Sequence, residues 1–320
     1  MDLHLLSDNL TNPALLFFFL GIIAVQLKSD LEIPPNSSKF ISLYLLFSIG
    51  FKGGLELSHS NLNMEIVWSL LFGIFLAITV PLYAFFILRK KFSVANSGAI
   101  AAAYGSVSAV TFVTAISFLE IEQIDFGGHM VAVMALMEAP SIIVGVLLMS
   151  LYQKNRPKNG ELKKMLHHSL TNGSVLLILG SLIIGFLAND QQAEGITPFT
   201  TDIFKGFLAV FLLDMGITSG RKLNDFLKKG WFALLFSLII PVFNGVLVAW
   251  FSQFITENEG NRFLFAVLAA SASYIAVPAA MRLAAPKANP SLYIPMALAI
   301  TFPFNITIGM PLYMYIVQNL

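Results

Sequence analysis

The chain has 320 residues, 57% hydrophobic and 12% charged, with a mean hydropathy of +0.78. A soluble domain carries about 25% charged residues, so an ordinary soluble enzyme is excluded; 19 Lys+Arg against 18 Asp+Glu leave no basic excess for nucleic acid. The 29 Phe exclude disorder and the absence of cysteine excludes disulfides, thiol catalysis and Cys-ligated zinc, which leaves an all-α polytopic membrane protein.

A spanning helix needs about 20 mostly apolar residues. Ten segments qualify in chain order: 12–27, 39–58, 66–89, 95–119, 129–153, 173–188, 200–220, 230–255, 261–284 and 292–317. The first and sixth are short. Runs such as FALLFSLIIPVFNGVLVAWF are apolar all round, which suits a helix in lipid and not the alternating strands of a barrel. The N-terminal MDLHLLSDNL has two acids and no basic region, unlike a signal peptide.

Charge orients these segments. With ten spans, 16 of the 19 basic residues fall on one face, and only Lys52, Lys205 and Arg262 lie toward the other. The positive-inside rule places the basic face in the cytoplasm and both termini outside, in a plasma (inner) membrane.

The two halves resemble each other. LYLLFSIGFKGG matches AVFLLDMGITSG, pairing Gly50 with Gly216 and Gly54 with Gly220; SLLFG from Ser69 matches ALLFS from Ala233. Gly105-Ser106-Val107-Ser108 then pairs with Ala270-Ser271-Ala272-Ser273, and Glu138-Ala139-Pro140 with Thr301-Phe302-Pro303. The organisation read from this is a first five-helix repeat at 1–153, a basic connector at 154–172 and a second repeat at 173–320. Five spans per unit is an odd number, so the second unit enters the membrane inverted, a transporter architecture.

Spans four and nine are the expected solute site. Both carry Ser-x-Ser among small residues mid-membrane, at Ser106/Ser108 and Ser271/Ser273, and Pro278 removes a backbone donor just beyond the second. If these helices unwind, free N–H groups and helix N-termini face the gap and hold a small anion, while hydroxyls and carbonyls coordinate Na⁺. Whether span nine is interrupted stays open. Glu138, mid-span beside Met137, is a functional candidate by its cost in lipid: a Na⁺ ligand, a proton relay or a pin for a broken helix. Asp214 reads similarly, near a possible helix end. Lys52 reads as reaching the outer interface, and Asn244 and Asn305 as interhelical glue. His167-His168 lies in the connector, and there is no HExxH or P-loop. No enzyme active site, resident cofactor or tightly bound metal is expected.

The residues that carry a family resemblance are AAAYGSVSAVTFVTAISFLE (101–120), ALMEAPSI (135–142) and ASASYIAVPAAMRLAAPKANPSLYI (270–294). With them the chain resembles the sodium-dependent bicarbonate transporters, the SbtA-like permeases. The resemblance implies ten helices in two inverted repeats, with spans one, two, six and seven forming a gate domain and the others a core. It implies a homotrimer in the lipid bilayer that moves bicarbonate with Na⁺, and for some members a PII-like cytoplasmic regulator. The implied anion pocket falls at Gly105, Ser106, Ser108, Thr111, Ser271 and Ser273, with Tyr274 beside it; Glu138, Ser108, Ser273 and Thr301 are the implied cation-coupling groups. The chain departs from the family at two places. GSVSAVT stands where members read GAVSGST, and Ser271–Ala279 stands where they read SSSDISGPP, so Tyr274 replaces an acid. Glu138 keeps the charge of the family's MDIP. The departure at Tyr274 bears on both Na⁺ coupling and anion choice. Proton coupling, an organic-anion carrier on the same scaffold and a non-transporting sensor stay open as alternatives.

Overall fold

The structure, a computed structural model, describes residues 11–59, 63–152, 173–227 and 230–320. The N-terminal decapeptide, the connector and His167-His168 lie outside the described residues. Among the described residues every regular element is a helix.

Each segment expected to span is helical. The helices are α1 (Pro13–Gln26), α2 (Pro35–His59), α3 (Met64–Leu88), α4 (Val94–Gly105), α5 (Ala109–Ile121), α6 (His129–Tyr152) and α7 (Gly173–Leu187). They continue as α8 (Phe204–Leu227), α9 (Trp231–Phe251), α10 (Glu259–Ala270), α11 (Ala276–Ala284) and α12 (Pro290–Gln318). Among the described residues seven helices are long and apolar enough to cross a membrane, counting α4–α5 as one; Pro13–Gln26 and Val175–Leu187 are shorter apolar helices. Local chemistry starts them where expected. Asn63, Ser93, Asn258 and Asn289 each accept a backbone N–H as N-caps, and Pro13 and Pro290 open α1 and α12.

Two kinds of helix pair build the molecule. α1 packs along α8, and α2 along α7. Glycines set both contacts: a Cβ on Gly54 would fall on the backbone of Leu182, and one on Gly216 on the backbone of Phe18. The contact is thus backbone against backbone, the close approach that small residues permit in membranes. The remaining helices form a second group, in which α3 packs on α4 and α6, and α9 on α10 and α12. Each pairing in the first half has its counterpart in the second. Outward-facing Trp68, Phe75, Phe243 and Trp250 leave large apolar side chains exposed, as a lipid-facing surface does.

Proline shapes the second group in the same way twice. Pro81 inside α3 cannot donate to the Ala77 carbonyl one turn earlier, and Ser141 Oγ of α6 donates to it instead at 2.8 Å. Pro241 inside α9 orphans the Ser237 carbonyl, and Thr301 Oγ1 of α12 donates to it at 2.8 Å. The shared role pairs Ser141 with Thr301, a different register from the Glu138–Thr301 match read in the sequence.

Candidate functional site

Spans four and nine are both broken, which settles the question left open for span nine. α4 ends at Gly105 with Ser106 as an extended C-cap, and α10 ends at Ala270 with Ser271 in the same role. The two extended segments cross. Ser108 N–H donates to Ser271 Oγ at 3.1 Å, and Ser273 N–H donates to the Ala103 carbonyl at 2.8 Å. Chain direction then resumes as helix: α5 begins after Ser108, whose Oγ accepts from Thr111 N–H at 3.1 Å, and α11 begins at Ala276, with Ser273 Oγ accepting from Val277 N–H at 3.3 Å. The second half of each broken helix packs against the first half of the other, α11 on α4 and α5 on α10.

A helix that stops inside a membrane leaves orphan carbonyls. At the end of α10 two amides take them: Asn244 Nδ2 donates to Ala269 O at 3.0 Å and Asn305 Nδ2 to Ala270 O at 2.8 Å. Tyrosines hold these amides. Tyr83 OH donates to Asn244 Oδ1, and Tyr313 OH to Asn305 Oδ1 at 3.1 Å. Asn305 reaches the break from a stretch of α12 that widens into π-turns at Met296–Thr301 and Asn305–Gly309, around Pro303.

Beside the crossing lies a cavity of about 30 Å³, lined by Ser42, Val107, Ser108, Glu138, Ser273 and Tyr274 among others. That is room for about two waters. Glu138 Oε1 and the Tyr274 hydroxyl are shielded from solvent and make no hydrogen bond. A vestibule of about 490 Å³ adjoins the cavity and shares Ser42, Tyr274 and Ile275 with it. Glu32, Lys39, Asp214 and Arg221 line the vestibule, so it opens on the basic face of the molecule. Asp214 sits inside α8, not at a helix end, and accepts from Ser38 Oγ at 2.5 Å.

On the opposite face ion pairs bridge the helices. Lys52 Nζ lies 2.8 Å from Glu120 Oε1, and Lys205 Nζ 3.8 Å from Glu120 Oε2. These are two of the three basic residues that depart from the positive-inside pattern. Their partner ends α5, so the contact ties α2 and α8 to the broken helix. A crevice of about 10 Å³ lies beneath, lined by Lys52, Glu56, Glu120 and Phe204 among others.

Of the residues expected at the site, Ser108, Ser273, Tyr274 and Glu138 share one cavity. Gly105, Ser106, Thr111 and Ser271 are buried at the crossing but do not line it. Gly105 lets Pro81 and the Ser141 hydroxyl approach, and Ser271 holds the crossing together. Ser106 Oγ is buried with no hydrogen bond. Thr301 lies elsewhere: its hydroxyl donates to Ser237 O and pairs with Tyr104 OH at 2.7 Å, which makes it the helix-repair residue of α9. The sequence reading missed the amide caps. Their signal was an Asn inside an apolar helix, but which carbonyl it serves is a three-dimensional fact.

The fold and the crossing define a class: an integral membrane protein of many helices, built around two broken helices that cross. The chain belongs to the Na⁺-dependent bicarbonate transporter superfamily, whose family model matches residues 13–318, nearly its whole length. No curated protein sequence matches it.

Proposed function

We propose that this chain is a secondary active transporter that moves bicarbonate together with Na⁺ by alternating access. Ten spans form two inverted five-helix units, 1–153 and 173–320. α1, α2, α7 and α8 serve as the gate and the remaining helices as the core. The basic face is cytoplasmic, both termini are outside, and the assembly is the homotrimer that the resemblance implies. Support for the repeat comes from paired features: the two C-cap serines, the two proline repairs and the close backbone approaches at Gly50 and Gly216.

The observation that carries the reading is the crossing itself. Two half-helices, α5 and α11, begin at one point, and their N-termini suit an anion. Beside them Glu138, Ser108 and Ser273 offer hard oxygens to a cation without a buried cationic side chain lining the cavity among the described residues. The vestibule leads from the basic face to this point, while Lys52–Glu120–Lys205 closes the other side. Inverted units give two access states of similar energy, and we read this arrangement as the inward-facing one, with the vestibule open and the cavity shut behind it.

The test is uptake of labelled bicarbonate into proteoliposomes, with and without an inward Na⁺ gradient. Na⁺-driven uptake is expected. Equal uptake in both conditions would remove the coupling. One observation favours a second reading, proton coupling through Glu138: its Oε1 is shielded and unbonded. Flux driven by pH and indifferent to Na⁺ would select that reading.

A further inference from the structure

Among the described residues, three line both the cavity and the vestibule: Ser42, Tyr274 and Ile275. Tyr274 is the one with bulk and burial. It is 8% exposed, whereas Ile275 is 47% exposed and Ser42 is small. The Tyr274 ring stands edge-on to Phe302, with centroids 6.0 Å apart. Its hydroxyl is shielded from solvent and lies near the Ser108 hydroxyl without a formed hydrogen bond, in the wall of the cavity that also holds the unbonded Glu138 Oε1. Buried hydroxyls are almost always paired, so an unpaired one points at something that binds. Tyr274 and Ile275 are also the residues by which the second break exceeds the first. They lie outside any helix, on backbone free of the i−4 packing that restricts a helical side chain.

We propose that Tyr274 is the inner gate and size filter of the crossing site: its ring separates the cavity from the vestibule, and its hydroxyl donates to an oxygen of the bound anion. The proposal rests on the reading of the crossing as an anion site. A cavity with room for about two waters takes a planar oxyanion of bicarbonate size and refuses carboxylates with an alkyl chain. Opening toward the vestibule requires the ring to swing away from Phe302.

The chain contains no cysteine, so Ser108→Cys supplies a single thiol inside the cavity. Its reaction with a membrane-impermeant methanethiosulfonate applied from the basic face reports access without requiring transport. Labelling is expected to be slow with Tyr274 or Tyr274→Phe. It should accelerate about tenfold or more in Tyr274→Ala and in Tyr274→Leu, which keeps an apolar side chain against Phe302. Equal rates across all four would overturn the gate. In uptake assays Tyr274→Phe should raise the KM for bicarbonate about tenfold, the loss of one hydrogen bond to a charged group. Tyr274→Ala should admit propionate, which the unaltered protein excludes. Unchanged KM and unchanged anion selectivity would overturn the filter. An unaltered protein that carries no anion would overturn the functional reading, and the labelling ratio would still decide the gate.

Discussion

The first helix break runs over three residues, 106–108, and the second over five, 271–275. At the first, the exposed Ala103 carbonyl is taken by the backbone N–H of Ser273, and the next helix is capped by its own Ser108. At the second, the carbonyls of Ala269 and Ala270 are taken by side chains, Asn244 and Asn305, and α11 starts at Ala276, with Ser273 Oγ accepting from Val277 N–H. The carbonyl freed at the first break is therefore met by a backbone donor, which mutation cannot easily remove. The second is held by replaceable side chains and carries the additional Tyr274-Ile275. The carboxylate at the crossing comes only from the first unit, since the Ser141–Thr301 register places Leu298 opposite Glu138. The two breaks are thus held differently, the first by a backbone donor and the second by side chains, with Tyr274 in its longer segment.

The largest effects should fall where the two halves are still alike. Gly50→Leu and Gly216→Leu, at the paired positions, each push a side chain into the backbone of a partner helix, and each is expected to cost about 3 kcal/mol or more. Loss of monodisperse protein after detergent extraction would show it. A tolerated substitution at one site alone would break the symmetry. Glu138→Gln keeps shape and removes charge, so transport should fall about 10- to 150-fold while the melting temperature in detergent holds or rises. Unimpaired uptake would remove Glu138 from the mechanism.

Smaller effects sharpen the difference between the breaks. Asn305→Ala leaves the Ala270 carbonyl without a donor and should destabilise by about 1–3 kcal/mol, read as a drop in thermal midpoint. Ser141→Ala and Thr301→Val should each cost about 1 kcal/mol, and neither should alter the Na⁺ concentration for half-maximal uptake. A shifted Na⁺ dependence in Thr301→Val alone would return Thr301 to the cation site.

Much of this was legible in the sequence for physical reasons. The helical segments follow from runs too apolar for water, and the first break aligns with the second through Gly105-Ser106 and Ala270-Ser271. Lys52 and Lys205 stood out as basic residues on an acidic face, and Glu120 explains them. Other features needed the third dimension. Pro81 and Pro241 announce missing donors, but the rescuing hydroxyls of Ser141 and Thr301 come from helices distant in sequence. The pairing of Glu138 with Thr301 differs from the proline-repair register because the helices after the two breaks differ in length, 13 residues in α5 and 9 in α11. Asn244 and Asn305 read as general glue because nothing local says which carbonyl an amide will reach.

The central claim is that the crossing is reached from one face at a time, with Lys52 and Glu120 closing the other. In this cysteine-free chain, Lys52→Cys and Glu120→Cys can be joined by a short thiol-to-thiol cross-linker. The account predicts that the linked protein stops transporting and recovers when a cleavable linker is cut, while a thiol at Ser42 in the vestibule stays reactive from the basic face throughout. Transport at the unlinked rate with the bridge in place would contradict it.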